Sequence, residues 1–323
     1  MKTNLLMASA LALCWGSASA QHNESNVRQE GQLNVAATNQ SGSANVASIQ
    51  QTEEYGPSAP TTQNHATISQ AGHQNNAEQR QSLWSVGNTA VIAQSGDANS
   101  ALQIQLLRSL ENDASITQDG TGNSAQQRQV DVVQSNAVID QSGTRNSASQ
   151  YQTLSSGNEA VAIQQGNGNI ASQEQNGFRN SAIARQTGDN NTAIQAQRTG
   201  NLVAVIEQAG TGNMHEQDQM TRSINNTSIA QATGDNNSGY QLQISVGNTS
   251  EIYQHGNNNS AISVQSGGSW LYRSNHQNLT IQNGNNNAAD TQQYGNSGNG
   301  HASTIEQHGS YNTATVLQND FYR

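Results

Sequence analysis

The chain has 323 residues, of which 32% are hydrophobic, 4% aromatic and 11% charged. Ordinary globular domains are about 45–50% apolar, so a conventional three-dimensional core cannot be assembled, and so few charges are unlike a self-repelling disordered polymer. A formal charge of −10, with scattered arginines and Lys2 as the only lysine, argues against a nucleic-acid surface.

In chain order, Lys2, the apolar run Leu5–Leu13 and the small residues Ala18-Ser19-Ala20 read as a secretory signal peptide over residues 1–20, cleaved before Gln21. The single cysteine, Cys14, lies inside it, and Leu13 sits where a lipoprotein signal carries a small residue. The mature chain is therefore expected to have no disulfides. Residues 21–33 form a short polar lead-in, although Gln29-Glu-Gly31-Gln-Leu-Asn34 already echoes the unit that recurs downstream.

Residues 34–318 repeat one unit twelve times, leaving 319–323 as a tail. Its lead glutamines are Gln40, Gln70, Gln94, Gln118, Gln141, Gln164, Gln186, Gln208, Gln231, Gln254, Gln282 and Gln307. Five positions after the lead comes an asparagine: Asn45, Asn75, Asn99, Asn123, Asn146, Asn169, Asn191, Asn213, Asn259, Asn287 and Asn312. In the ninth unit the offset is six, to Asn237, as though Gly234 and Asn237 followed one extra residue. A second glutamine stands six after each asparagine, from Gln51 to Gln318, and Ile stands two before the lead in eight units. Alanine stands two after the asparagine in ten units, with His215 and Gly239 as exceptions.

The unit has two similar halves, Asn88-Thr-Ala90-Val-Ile92-Ala-Gln94 and Asn99-Ser-Ala101-Leu-Gln-Ile-Gln105, joined by a Gln-x-Gly-x-x-Asn turn. Marked residues recur every second position, the period of a strand, and Gly and Asn tolerate the positive φ of a tight turn. The expected fold is all-β: a β-solenoid of about twelve stacked strand-turn-strand arches, amyloid-like, with rungs about 4.8 Å apart. Asn, Ala, Ile and Gln point inward, and stacked amides satisfy one another where stacked carboxylates would repel. Two excursions interrupt the period, one carrying Pro57 and Pro60, the other running from Gly267 to Arg273 around Trp270.

The pattern Gln-x-Gly-x-x-Asn-x-Ala-x-x-x-Gln, repeated behind a secretory signal, resembles the curlin repeat of curli fibre subunits over residues 34–318. The resemblance implies an extracellular functional amyloid of a Gram-negative bacterium, a fimbrium-like cell-surface fibre for biofilm and adhesion. It further implies other curli subunits, an outer-membrane secretion pore and accessory factors as partners beside the chain itself. Units opening on Asn34, Asn64, Asn88, Asn112, Asn158, Asn180, Asn225 and Asn248 are similar to the minor, nucleating subunit, so major and minor roles both stay open. Both edges of the stack carry the same ladder residues as the middle, which is expected to let one copy template the next.

Other chemistry is thin. His276 and His301 each stand six before a lead glutamine and are expected to stack; His255 and His308 follow lead glutamines at the turn. Imidazoles in register could take Zn or Cu, but Asn or Ser fills that slot elsewhere, so substitution into a polar ladder is the simpler reading. Asp97, Asp119, Asp189 and Asp235 lie at turns without a calcium-roll motif, and read as surface charge that moderates aggregation. Arg80 and Arg128 read as outward, and Trp84 and Trp270 lie in connecting segments. No nucleophile elbow, Ser-His-Asp grouping or phosphate loop is present in the sequence, so no enzyme, cofactor or metal is expected. The alternatives to a fibre subunit are a monomeric solenoid binding a repetitive ligand such as ice or polysaccharide, and a solenoid enzyme.

Overall fold

The computed structural model describes residues 22–52, 61–220, 223–267, 275–295 and 300–320. The signal peptide, both prolines, Trp270 and the last three residues lie outside them. Alternating inward and outward residues form twenty-five strands, from β1 (Glu24–Gln29) to β25 (Thr313–Asp320), and no helix forms among the described residues. Odd-numbered strands make one thirteen-stranded sheet and even-numbered strands a twelve-stranded one, each in sequence order. Every strand pairs in parallel with the equivalent strand of the next unit, as Gln164 does with Gln186 and Ala160 with Ala182. Consecutive strands therefore lie in opposite sheets, and the chain is a β-solenoid of about twelve turns.

In β6 (Thr89–Asp97), Ala90, Ile92 and Gln94 are buried while Thr89, Val91 and Ala93 are half-buried on the outer face. The corner after each lead glutamine needs two left-handed conformations. Gly120 has φ +117°, and a Cβ there would strike the carbonyl of Gly143 in the next rung, so only glycine lets the rungs close up. The residue before each ladder asparagine also has positive φ, as in Asn190 (55°) and Arg145 (55°). The asparagine side chain then ties the corner together, as Asn123 Nδ2 does by donating to Gly143 O at 3.0 Å.

Two expectations need correction. Residues 21–33 are not wholly a lead-in: β1 pairs with β3 (Val46–Thr52), aligning Gln29 with Gln51, so the stack begins a half-turn early. In the ninth unit no residue is extra. The strand β18 (Thr227–Thr233) aligns Ala232, not Gln231, with Gln208 and Gln254. Asn226 rather than Asn225 opens the unit, Asn225 taking the left-handed corner position (φ 57°), and Ile229 faces out while Ala230 is buried. Because side chains alternate, this one-residue shift exchanges the two faces of the whole strand.

Candidate functional site

The surface these strands build between the sheets is a set of continuous amide files. The second glutamines run from Gln29 through Gln51, Gln81 and Gln105 to Gln293 and Gln318 without a gap, each Nε2 donating to the next Oε1 at 2.7–3.0 Å. From Gln51 onward each amide nitrogen also donates across the seam to a backbone carbonyl, as Gln175 does to Glu159 O at 2.8 Å. Amides buried in this way keep both protons paired.

The lead glutamines form a second file from Gln40 through Gln70, Gln94, Gln118, Gln141, Gln164 and Gln186 to Gln208, at 2.7–2.9 Å. It resumes from Gln254 through Gln282 to Gln307 at 2.9 Å. Gln231 belongs to neither part; it lies on the outer face and donates to Glu207 Oε2 at 2.8 Å. A third file, from Gln79 through Gln103, Gln127, Gln150, Gln173, Gln195 and Gln217 to Gln241, faces the isoleucines. Its signal was present in the sequence as a glutamine two before the second glutamine in eight successive units.

The asparagines work differently from the glutamines. Asn45, Asn75, Asn99, Asn123, Asn146, Asn169, Asn191, Asn213, Asn237, Asn259 and Asn287 each accept, through Oδ1, the backbone N–H of the next asparagine, ending at Asn312. They pair amide to backbone, and from Asn169 onward also amide to amide at 3.0–3.1 Å, holding the corner in register. In the even sheet the corresponding file includes Asn64, Asn88 and Asn112 and later passes through histidine: His276 accepts from His301 N through Nδ1 at 3.1 Å. The two rings stack at 5.0 Å with a 5° interplanar angle. Burial, then the neighbouring His301, lowers the His276 pKa to about 4. Among the described residues no group of three or more His, Cys, Asp or Glu is placed to hold a metal ion.

The turn acids have a structural use that their sequence did not reveal. Asp97, Asp189 and Asp235 accept the backbone N–H of His73, Asn167 and Thr211 in the preceding rung, at 2.9–3.2 Å. Arg128 extends outward and lies over Tyr151, 5.4 Å from the ring centre. Trp84 is 46% exposed at a left-handed corner.

One of the two exceptions to the alanine position puts a histidine into the seam. His215 stands at an alanine position of β17 (Met214–Gln219) and is 1% exposed. It occupies the level where the lead file is broken. No protein-family model matches this chain, and no curated protein matches it.

Proposed function

We propose that this chain is the structural subunit of an extracellular, curli-like amyloid fibre, adding head to tail in a biofilm matrix, with no catalytic activity and no cofactor. The observation that carries the proposal is the direction of the glutamine files. Every Nε2 donates toward the C-terminal rung, and the file runs from Gln29 to Gln318. A second copy set on that rung continues it, with Gln318 donating to the second copy's Gln29 and Gln307 to its Gln40. The corner asparagines continue as well, since Asn23 Oδ1 already serves Asn45 N as Asn287 serves Asn312 N. The apolar seam meets itself: Ala314 and Val316 pack partly buried on the last cluster, Val27 on the first. Its partners are first of all itself, then, by resemblance to curlins, a second fibre subunit, an outer-membrane pore and accessory factors.

The test is seeded growth of the purified chain from Gln21 onward at neutral pH. Fibres with a meridional spacing of about 4.7–4.8 Å are expected, growing faster on preformed seeds. A chain that stays monomeric at high concentration with seeds present would overturn the fibre reading in favour of a ligand-binding solenoid.

A further inference from the structure

The lead file is broken where β18 puts Ala232 at the glutamine position, and a broken file leaves Gln208 and Gln254 without each other. Three departures from the repeat occur together at this level. Ala232 removes a glutamine from the even sheet, Gly239 removes an alanine from the odd sheet, and His215 replaces an alanine one rung earlier. The space vacated by the first two is filled by the third. A Cβ on Gly239 would come within 2.6 Å of His215 Nε2, so the ring lies over that glycine.

The hydrogen bonds follow the same logic. Gln208 Oε1 accepts from Gln186, so its Nε2 is the donor, and it reaches His215 Nδ1 at 3.2 Å. Nδ1 must therefore be the unprotonated nitrogen, which puts the proton on Nε2. That side of the ring faces Gln254, and both His215 Nε2 and Gln254 Oε1 are buried without a hydrogen-bond partner within bonding distance, a donor and an acceptor left for one another. A neutral imidazole thus presents an acceptor to one glutamine and a donor to the other, as an amide would. The apolar seam is interrupted at the same place: one cluster ends at Ala230 and the next begins at Ile252, in the following strand of the even sheet.

We propose that His215 is a surrogate ladder amide that couples two blocks of the solenoid, and that its protonation releases the coupling. A second proton on the ring would set Nδ1–H against the Gln208 amide and place a charge in a dry seam. No charged side chain is there to receive it. Glu207, Glu216, Asp218, Tyr240, Glu251 and Tyr253 on the packed strands all occupy outward, half-buried positions. Burial accordingly lowers the His215 pKa from 6.5 to about 4, opposed in part by the nearby Gln254 side chain. The coupling is therefore complete above pH 6.5 and is lost as pH falls toward 4, where the closed-to-open ratio drops roughly a hundredfold.

The test uses the whole mature chain with isotopically labelled histidine. At pH 7 the His215 nitrogen shifts should report a neutral ring protonated on Nε2, titrating near pH 4. Pepsin at pH 4 should cut first between residues 192 and 254. The triple variant His215→Ala, Ala232→Gln, Gly239→Ala rebuilds the standard rung and should resist that cut at least tenfold longer. Gly239→Ala alone should open the same region even at neutral pH. A His215 protonated on Nδ1 at pH 7, a titration midpoint at 6.5 or above, or a triple variant cut as fast as the parent would each overturn the proposal. Should the triple variant fail to fold, the tautomer and midpoint of the unmodified chain decide.

Discussion

At the scale of single residues, the seam tolerates almost nothing but neutral side chains that either pack or pair. Ile92 is fully buried between Ile68 and Ile116, so Ile92→Asp would bury an unpaired charge and should cost on the order of 4 kcal/mol or more in chemical denaturation. Thr89 faces outward beside Asp113, so the neutral Thr89→Asn is the proper control and should cost about 0.5 kcal/mol or less. Gly120→Ala should be as damaging as a core change despite its place at a turn, since it combines a φ of +117° with a clash on the next rung; a loss of several kcal/mol is expected. His276 brings a dependence on pH. Its Nδ1 must stay unprotonated to accept from His301 N, and its pKa is lowered to about 4, so the last rungs should be firm above pH 6.5 and loosen as pH falls toward 4. His276→Asn should narrow the difference between thermal melts at pH 7 and pH 4.5, leaving only the part that His215 carries.

At the scale of the strand, what decides is register, and here the sequence was legible except where residue type and corner spacing favoured different frames. Twenty-two-to-twenty-four-residue spacing, inward alternation and the corner glycines could all be read directly, because each unit repeats the same constraint. The ninth unit could not. Asn225-x-Thr-x-Ile229-x-Gln231 satisfies the repeat better by residue type than Asn226-x-Ser-x-Ala230-x-Ala232 does. The second frame is adopted because it alone keeps Gly234 and Asn237 at the standard offsets, and because His215 supplies the volume and hydrogen bonds that Ala232 lacks. β1 was missed for a related reason: a lone half-unit offers no second copy of the pattern to compare. The prediction at this scale is a contrast between neighbours. Gln186→Ala would strand Gln164 Nε2 and Gln208 Oε1 and should cost about 2 kcal/mol, whereas Gln231→Ala, on the outer face, should cost about 0.5 kcal/mol or less by denaturation.

At the scale of the whole molecule, the two ends of the described stack are chemically unlike, and a substitution can address one of them. Gln318 accepts from Gln293 at 2.8 Å within its own chain. A carboxylate can keep that bond but has no N–H to offer a following copy. Gln318→Glu should leave the monomer folded, at the small cost of the bond to Ala302 O, while slowing elongation from the C-terminal end at least tenfold in seeded assays. Gln29→Glu differs in kind, because it would turn a carboxylate toward Gln51 Oε1 inside the chain and loosen β1 itself. If both variants elongate like the parent, growth does not proceed through these files.

The common direction of the files has an electrical consequence. Backbone dipoles largely cancel in a sheet, but the glutamine side chains do not alternate: in all three files the nitrogen leans toward the C-terminal rung. With each amide contributing about 3.5 D, tens of aligned groups make the rod a permanent electret, partially positive at its C-terminal face and partially negative at its N-terminal face. Anions should therefore gather at one tip and cations at the other. Rods in a strong field should all turn the same way, a transient birefringence that vanishes when glutamines are replaced by apolar residues of similar size.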